Sequence, residues 1–143
     1  MTAVGLIGCG GIAQDVLAAL RASPANGVSV IGALARPGRG EAARAKLCEI
    51  DVVESLDDLL ARSPALVAEV AGQSAVIEHG DAVLRSGVDC LVISVGALAD
   101  PALLARLRSA AQDGNSRILL PATRMAAMAS IPPMASRPCA SPA

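Results

Sequence analysis

No phenylalanine, tyrosine or tryptophan occurs anywhere in the 143-residue chain. Platforms on which nucleic-acid bases stack are therefore excluded, and any adenine ring held here is expected between aliphatic and arginine side chains. Lysine is nearly absent as well: Lys46 is the only one, and arginine carries the remaining positive charge. The net charge of −1 gives no electrostatic reason to expect nucleic acid or an anionic membrane as a partner. No apolar run approaches the roughly 20 residues of a membrane span. The N-terminus lacks a basic segment, and Gly8, Gly10 and Gly11 interrupt its apolar start, which is unlike a secretion signal. A cytoplasmic protein is the expectation. Cys9, Cys48, Cys90 and Cys139 are widely separated, and His79 is the only histidine. That spacing argues against a metal site and for small buried hydrophobes.

Hydrophobic residues make up 53% of the chain and charged residues 17%, enough to bury one real core. Short apolar runs at 4–7, 28–35, 50–53, 66–70, 90–95 and 117–120 read as strands. Between them, 12–22, 41–47, 74–85 and a segment starting at Ser55 read as helices. Ser55-x-x-Asp58 predicts a capping box in which the serine accepts from the Asp58 N–H. Asp100-Pro101 predicts a helix that opens on an aspartate cap and stops at Gly114. Nearly continuous apolar strands alternating with helices need cover on both faces. The fold class is therefore α/β: a doubly wound, mostly parallel sheet in a single domain over residues 1–121. The remaining stretch, 122–143, has no acidic residue, no helical period and several prolines, and reads as disordered or as foreign to the fold.

The segment VGLIGCGGIAQDVLAAL carries the sharpest signal. Gly8-x-Gly10-x-x-Ala13 follows a strand and opens a helix, the context a dinucleotide-binding fingerprint requires. Gly8 permits the turn, Gly10 lets the backbone approach a pyrophosphate, and Ala13 is small enough for helix–strand packing. The first-turn N–H groups, near Gly11 and Ile12, would hold the anion. The fold is thus Rossmann-like and the expected ligand a nicotinamide dinucleotide. The second half of the fingerprint departs from the pattern, because no Asp or Glu occurs between Asp15 and Glu41. Strand two ends ALARPGRG instead, and Arg36 or Arg39 there could pair with a 2′-phosphate. NAD and NADP both remain open. In such sheets ligands sit at the carboxyl ends of strands. Ala71 and Gly72 after one strand, and Ser94, Val95 and Gly96 after another, offer small residues where a nicotinamide would lie. Glu69 reads as a strand-end acid held by nearby N–H groups.

The glycine corner, EVAGQSAVIEHGDAVLRSGVDCLVISVGALADP and the following RILLP together resemble the N-terminal half of L-aspartate dehydrogenases, from about Val4 to Pro121. The resemblance implies oxidation of L-aspartate with NAD or NADP to iminoaspartate, a step that feeds NAD biosynthesis. It also implies a second, α+β domain bearing the catalytic histidine, and a homodimer. That domain is absent from this chain, so no catalytic residue is assigned within it. His79 reads as a helix-surface or dimer-contact residue.

Past Pro121 the sequence leaves the family pattern. Each of the Met-Ala pairs at 125–126, 128–129 and 134–135 requires ATG-GCN, which yields a glycine when read from the third base. A Gly-Gly-x-Gly-Ile-Asp segment is permitted in that frame. The tail is therefore either an out-of-frame reading of the family continuation or a divergent natural terminus. Three functions remain: the cofactor half of an aspartate dehydrogenase, a homoserine dehydrogenase or dihydrodipicolinate reductase relative, and a nucleotide-binding module without catalysis.

Overall fold

The computed structural model describes residues 1–24 and 27–121. The readings of the 122–143 tail lie outside the described residues.

Six parallel strands form one sheet in the order β3-β2-β1-β4-β5-β6. They are β1 (Thr2–Ile7), β2 (Val28–Leu34), β3 (Val52–Val53), β4 (Leu66–Glu69), β5 (Asp89–Val92) and β6 (Ile118–Leu119). The helices are α1 (Gly11–Ala22), α2 (Gly40–Lys46), α3 (Leu56–Leu60), α4 (Gln73–Arg85) and α5 (Pro101–Gly114). The chain steps outward from β1 to β3, then returns to β4 on the other side of β1. That reversal between β1 and β4 is where an open parallel sheet binds its ligands.

Although the strands are apolar throughout, their side chains still alternate between two cores. Val4, Leu6, Ala33, Ala35, Ala68 and Val70 face Ala13 and Leu17 of α1 and Ala43 of α2. Ile7, Leu34, Val67, Cys90 and Val92 face the other layer, built on α4 and α5 with Leu59 of α3. Gly5 and Gly32 are paired across β1 and β2. A Cβ on either would press within 3.2–3.3 Å of the Leu59 side chain. This glycine pair is the hollow that seats the short helix α3.

Several local expectations are corrected. Ser55 does occupy the cap of α3, with extended backbone, yet its side chain makes no capping bond. The capping box is not formed; α3 is only five residues long and is anchored by the fully buried Leu59. β5 ends at Val92 rather than Val95, because Val95–Ala99 turns into a 3-10 helix. Helix α5 opens as expected, the Asp100 carboxylate accepting from Ala102 N–H at 3.0 Å. At its other end Gly114 is the last helical residue, and Asn115 takes the left-handed conformation at φ 52°. Gly114 is required by proximity, since a Cβ there would lie 1.9 Å from the Leu84 carbonyl oxygen of α4. Among the described residues, no helix is long and apolar enough to cross a membrane.

Candidate functional site

The sharp exit from β1 builds the site. Gly8 has φ +116°, and a Cβ on it would sit 2.9 Å from the Ala71 Cβ. Both backbone conformation and the close approach of the β4 exit demand glycine. Gly8 N–H donates to the Leu34 carbonyl at 3.0 Å, and Val70 N–H donates to the Ile7 carbonyl at 2.9 Å. The ends of β1, β2 and β4 are thus tied into one ledge. Gly10 is the cap of α1 and offers no side chain to its first turn, which also holds no acid. Positions where a Cβ would stand on Gly10 and Gly11 meet nothing within 4 Å. Ile12, one residue into the helix, is exposed. The result is a helix N-terminus whose N–H groups face open space, the arrangement that binds phosphate.

A cleft of about 500 Å³ opens on this ledge. Of the residues singled out from sequence, Gly8, Gly10, Arg36 and Ala71 line it, while Gly11 and Ile12 begin the helix beside it. Arg39 also lines it, from the same loop as Arg36. Gly72, Ser94, Val95 and Gly96 do not line it. Val95 lies exposed in the 3-10 turn. Gly96 packs under a side chain, since a Cβ there would come within 2.5 Å of Gln73 Nε2.

Sequence reasoning missed Lys46, Glu54, Ser74, Glu78 and His79, all of which line the cleft. The signal was helical spacing. Ala42, Ala43 and Lys46 share one face of α2; Ser74, Ala75, Glu78 and His79 share one face of α4. His79 was expected on a helix surface or at a dimer contact. It is instead a half-buried wall of the cleft, with its side chain 22% exposed and Nε2 3.7 Å from Glu78 Oε2.

Glu69 links the loops that follow β4 and β5. It is only 1% exposed. Its Oε1 accepts from Ala71 N–H at 2.9 Å, Gly72 N–H at 2.7 Å and the Ser94 hydroxyl at 2.9 Å. Its Oε2 accepts from Ser94 N–H at 2.9 Å. A buried carboxylate is costly unless its lone pairs are filled, and here donors from both loops fill them. Its charge and, above all, burial push the neighbouring Cys90 thiol up to about 12. Cys9, beside the phosphate turn, has its thiol raised by burial as well.

Positive charge in the cleft is unspent. Arg21, Arg44, Arg62, Arg85, Arg106 and Arg117 each bond an acid or a carbonyl. Among the described residues, Arg36, Arg39, Lys46 and Arg108 have no such side-chain partner. Three of those four line the cleft. Two acids line the cleft as well, Glu54, which accepts from Gly40 N–H at 3.1 Å, and Glu78.

A family model described as homoserine dehydrogenase, NAD binding domain, matches residues 8–121. The chain belongs to this family of NAD-binding domains. The match starts on Gly8, the residue that makes the phosphate turn, and ends on Pro121. Among its relatives, L-aspartate dehydrogenase 2 of Bordetella bronchiseptica is 40% identical over 134 residues, covering 94% of this chain and 49% of that protein. L-aspartate dehydrogenase of Ruegeria pomeroyi is 44% identical over 117 residues, covering 82% of this chain and 40% of that one. The NAD-binding domain thus spans about half the length of the curated relatives it matches, or less. Among solved structures, aspartate dehydrogenase from Thermotoga maritima superposes with a TM-score of 0.67 at 20% identity, covering 92% of this chain and 51% of that one. That likeness establishes the shared fold.

Proposed function

We propose that this chain is the NAD(P)-binding half of an L-aspartate dehydrogenase. The observation that carries the reading is the cleft at the β1–β4 reversal, which opens on the uncapped α1 N-terminus at Gly8 and Gly10. The family membership and the L-aspartate dehydrogenase relatives supply the reaction class. A bound nicotinamide would supply the hydride acceptor for oxidation of L-aspartate at C2 to iminoaspartate, which water hydrolyses to oxaloacetate and ammonia.

The residues of this domain bind and orient. Gly10, Gly11 and Ile12 hold the pyrophosphate through backbone N–H groups and the helix dipole, and Gly8, whose own N–H is taken by the Leu34 carbonyl, makes the turn that aims them. Ala71, Gly72, Ser94, Val95 and Gly96 form the nicotinamide side, their loops fixed through Glu69. No acid or base within residues 1–143 is assigned to the chemistry. The three unpartnered cations Arg36, Arg39 and Lys46 favour acceptance of a 2′-phosphate, hence NADP over NAD. A cytoplasmic location and a homodimer complete the reading.

The test is fluorescence titration of the chain with NADH and NADPH, followed by L-aspartate-dependent NADPH formation with a gene product that spans the full length of the relatives. Binding without NADP preference removes the 2′-phosphate assignment. Absence of binding by either cofactor removes the whole reading.

A further inference from the structure

We infer that His79 is the ring on which the adenine of the bound nucleotide stacks. The inference rests on the cofactor reading above and deepens it by naming the residue that recognises the base. Sequence reasoning left adenine only aliphatic and arginine neighbours, because the chain has no aromatic residue. The structure places the one imidazole of the whole protein in the wall of the cleft.

Position along the cleft selects the half of the cofactor. His79 shares the cleft with the phosphate turn at Gly8 and Gly10 and with the unpartnered Arg36 and Lys46. Ser94, Val95 and Gly96, after β5, are not part of it. Of the residues assigned to the nicotinamide side only Ala71 reaches the cleft, where it meets the Gly8 turn. Arg36, Arg39 and Lys46 all line it, so the space is assigned to the adenosine end, with the ribose that the cations would address. Its floor is aliphatic, formed by Leu34, Ala35 and Ala43, on which a purine loses water without losing hydrogen bonds. Two planar groups line the same cleft, the Arg36 guanidinium and the His79 imidazole.

The ring is also available. Its contact with Glu78 is a neighbour on the same helix at 3.7 Å, and the Glu78 side chain is 70% exposed. Nothing else among the described residues hydrogen-bonds or ion-pairs with it. A core histidine would be locked by buried partners; this one lines the cleft with its side chain 22% exposed. Histidine is one of the side chains on which nucleobases stack.

The experiment measures affinity of the chain for NADH and for ADP-ribose with His79→Gln and His79→Phe. Glutamine keeps the size and hydrogen bonding but removes the ring; phenylalanine keeps the flat face and removes the nitrogens. His79→Gln is expected to weaken both ligands about tenfold, with His79→Phe staying within about threefold of the original chain. Circular dichroism melts check that both variants fold; His79→Gln tests whether the residue binds the nucleotide, and its comparison with His79→Phe tests whether the ring is what binds. Unchanged affinity in His79→Gln overturns the assignment. Equal loss in both variants overturns stacking, since the nitrogens would then be the recognised feature. Failure of the original chain to bind either ligand is a different result and overturns the cofactor reading on which this one stands.

Discussion

Glu69 and Ser94 meet twice, once through the serine N–H on Oε2 and once through its hydroxyl on Oε1, each at 2.9 Å. The two residues come from the ends of adjacent strands β4 and β5, 25 positions apart. Since Oε1 also takes the Ala71 and Gly72 N–H groups, one side chain sets both loops. Glu69→Ala leaves three part-buried N–H donors without their acceptor and should cost about 3 kcal/mol in urea unfolding. Ser94→Ala removes only the hydroxyl bond and should cost about 1 kcal/mol. Equal costs for the two variants would mean that the loops are held by something else.

Gly8→Ala should be worse than its added methyl suggests. The residue must hold φ +116°, and the new Cβ meets Ala71 at 2.9 Å. Strain of about 1–3 kcal/mol is expected from the backbone alone. The Gly8 turn also aims the α1 N-terminus, so affinity for NADH should fall more than tenfold. Thermal melts and titration measure the two effects separately. Gly27→Ala is the control: it has φ +64° with no atom within 4 Å of its Cβ position and precedes β2 at the end away from the cleft, so it should lower stability alone.

The cysteines should divide by position. Cys48 is exposed, Cys9 is intermediate and Cys90 is buried. Mapping thiol modification by mass spectrometry, Cys48 should react first and Cys90 only on unfolding. Cys9 lines the cleft, so NADH should slow its modification and leave Cys48 unaffected. Protection of Cys48 instead would put the nucleotide somewhere else.

Alkali should destabilise the fold through Cys90. Its thiol is raised from 9.0 to about 12, first by burial and then by the Glu69 charge. Between those values the folded chain keeps the proton and the unfolded chain releases it. The stabilisation is therefore full below about pH 9 and is lost as pH rises through the folded value, by up to ~1.4 kcal/mol per pH unit. Urea midpoints of the original chain should fall across that window. Cys90→Ala should flatten the slope; an unchanged slope would assign it to another group.

The fold was legible because its signals are local. Strand runs, the Asp100-Pro101 cap and the Gly8 turn each depend on a few neighbouring residues, and all three appear in the structure. Even Glu69 was readable as a strand-end acid, since an isolated carboxylate in an apolar run needs donors. What failed depended on distance. The Ser55 box follows a good local rule, but Leu59 settling into the Gly5–Gly32 hollow fixes α3 without it. The extra turn at Val95–Ala99 was hidden in a run that is apolar enough for a strand. Lys46 and His79 enter the cleft from helices on opposite faces of the sheet, and no sequence window contains both.

A core assembled from Ala, Val, Leu and Ile, with no ring in it, makes the chain optically silent at the wavelengths where tryptophan and tyrosine absorb and emit. Any ultraviolet band beyond the peptide and thiol absorption, and any visible emission, belongs to what is bound. Purified protein would then carry its own report: a purine band identifies retained nucleotide, and a reduced nicotinamide band identifies its redox state, with no protein background to subtract. The same silence removes energy transfer from protein to cofactor, so the emission of bound NADH must be excited directly.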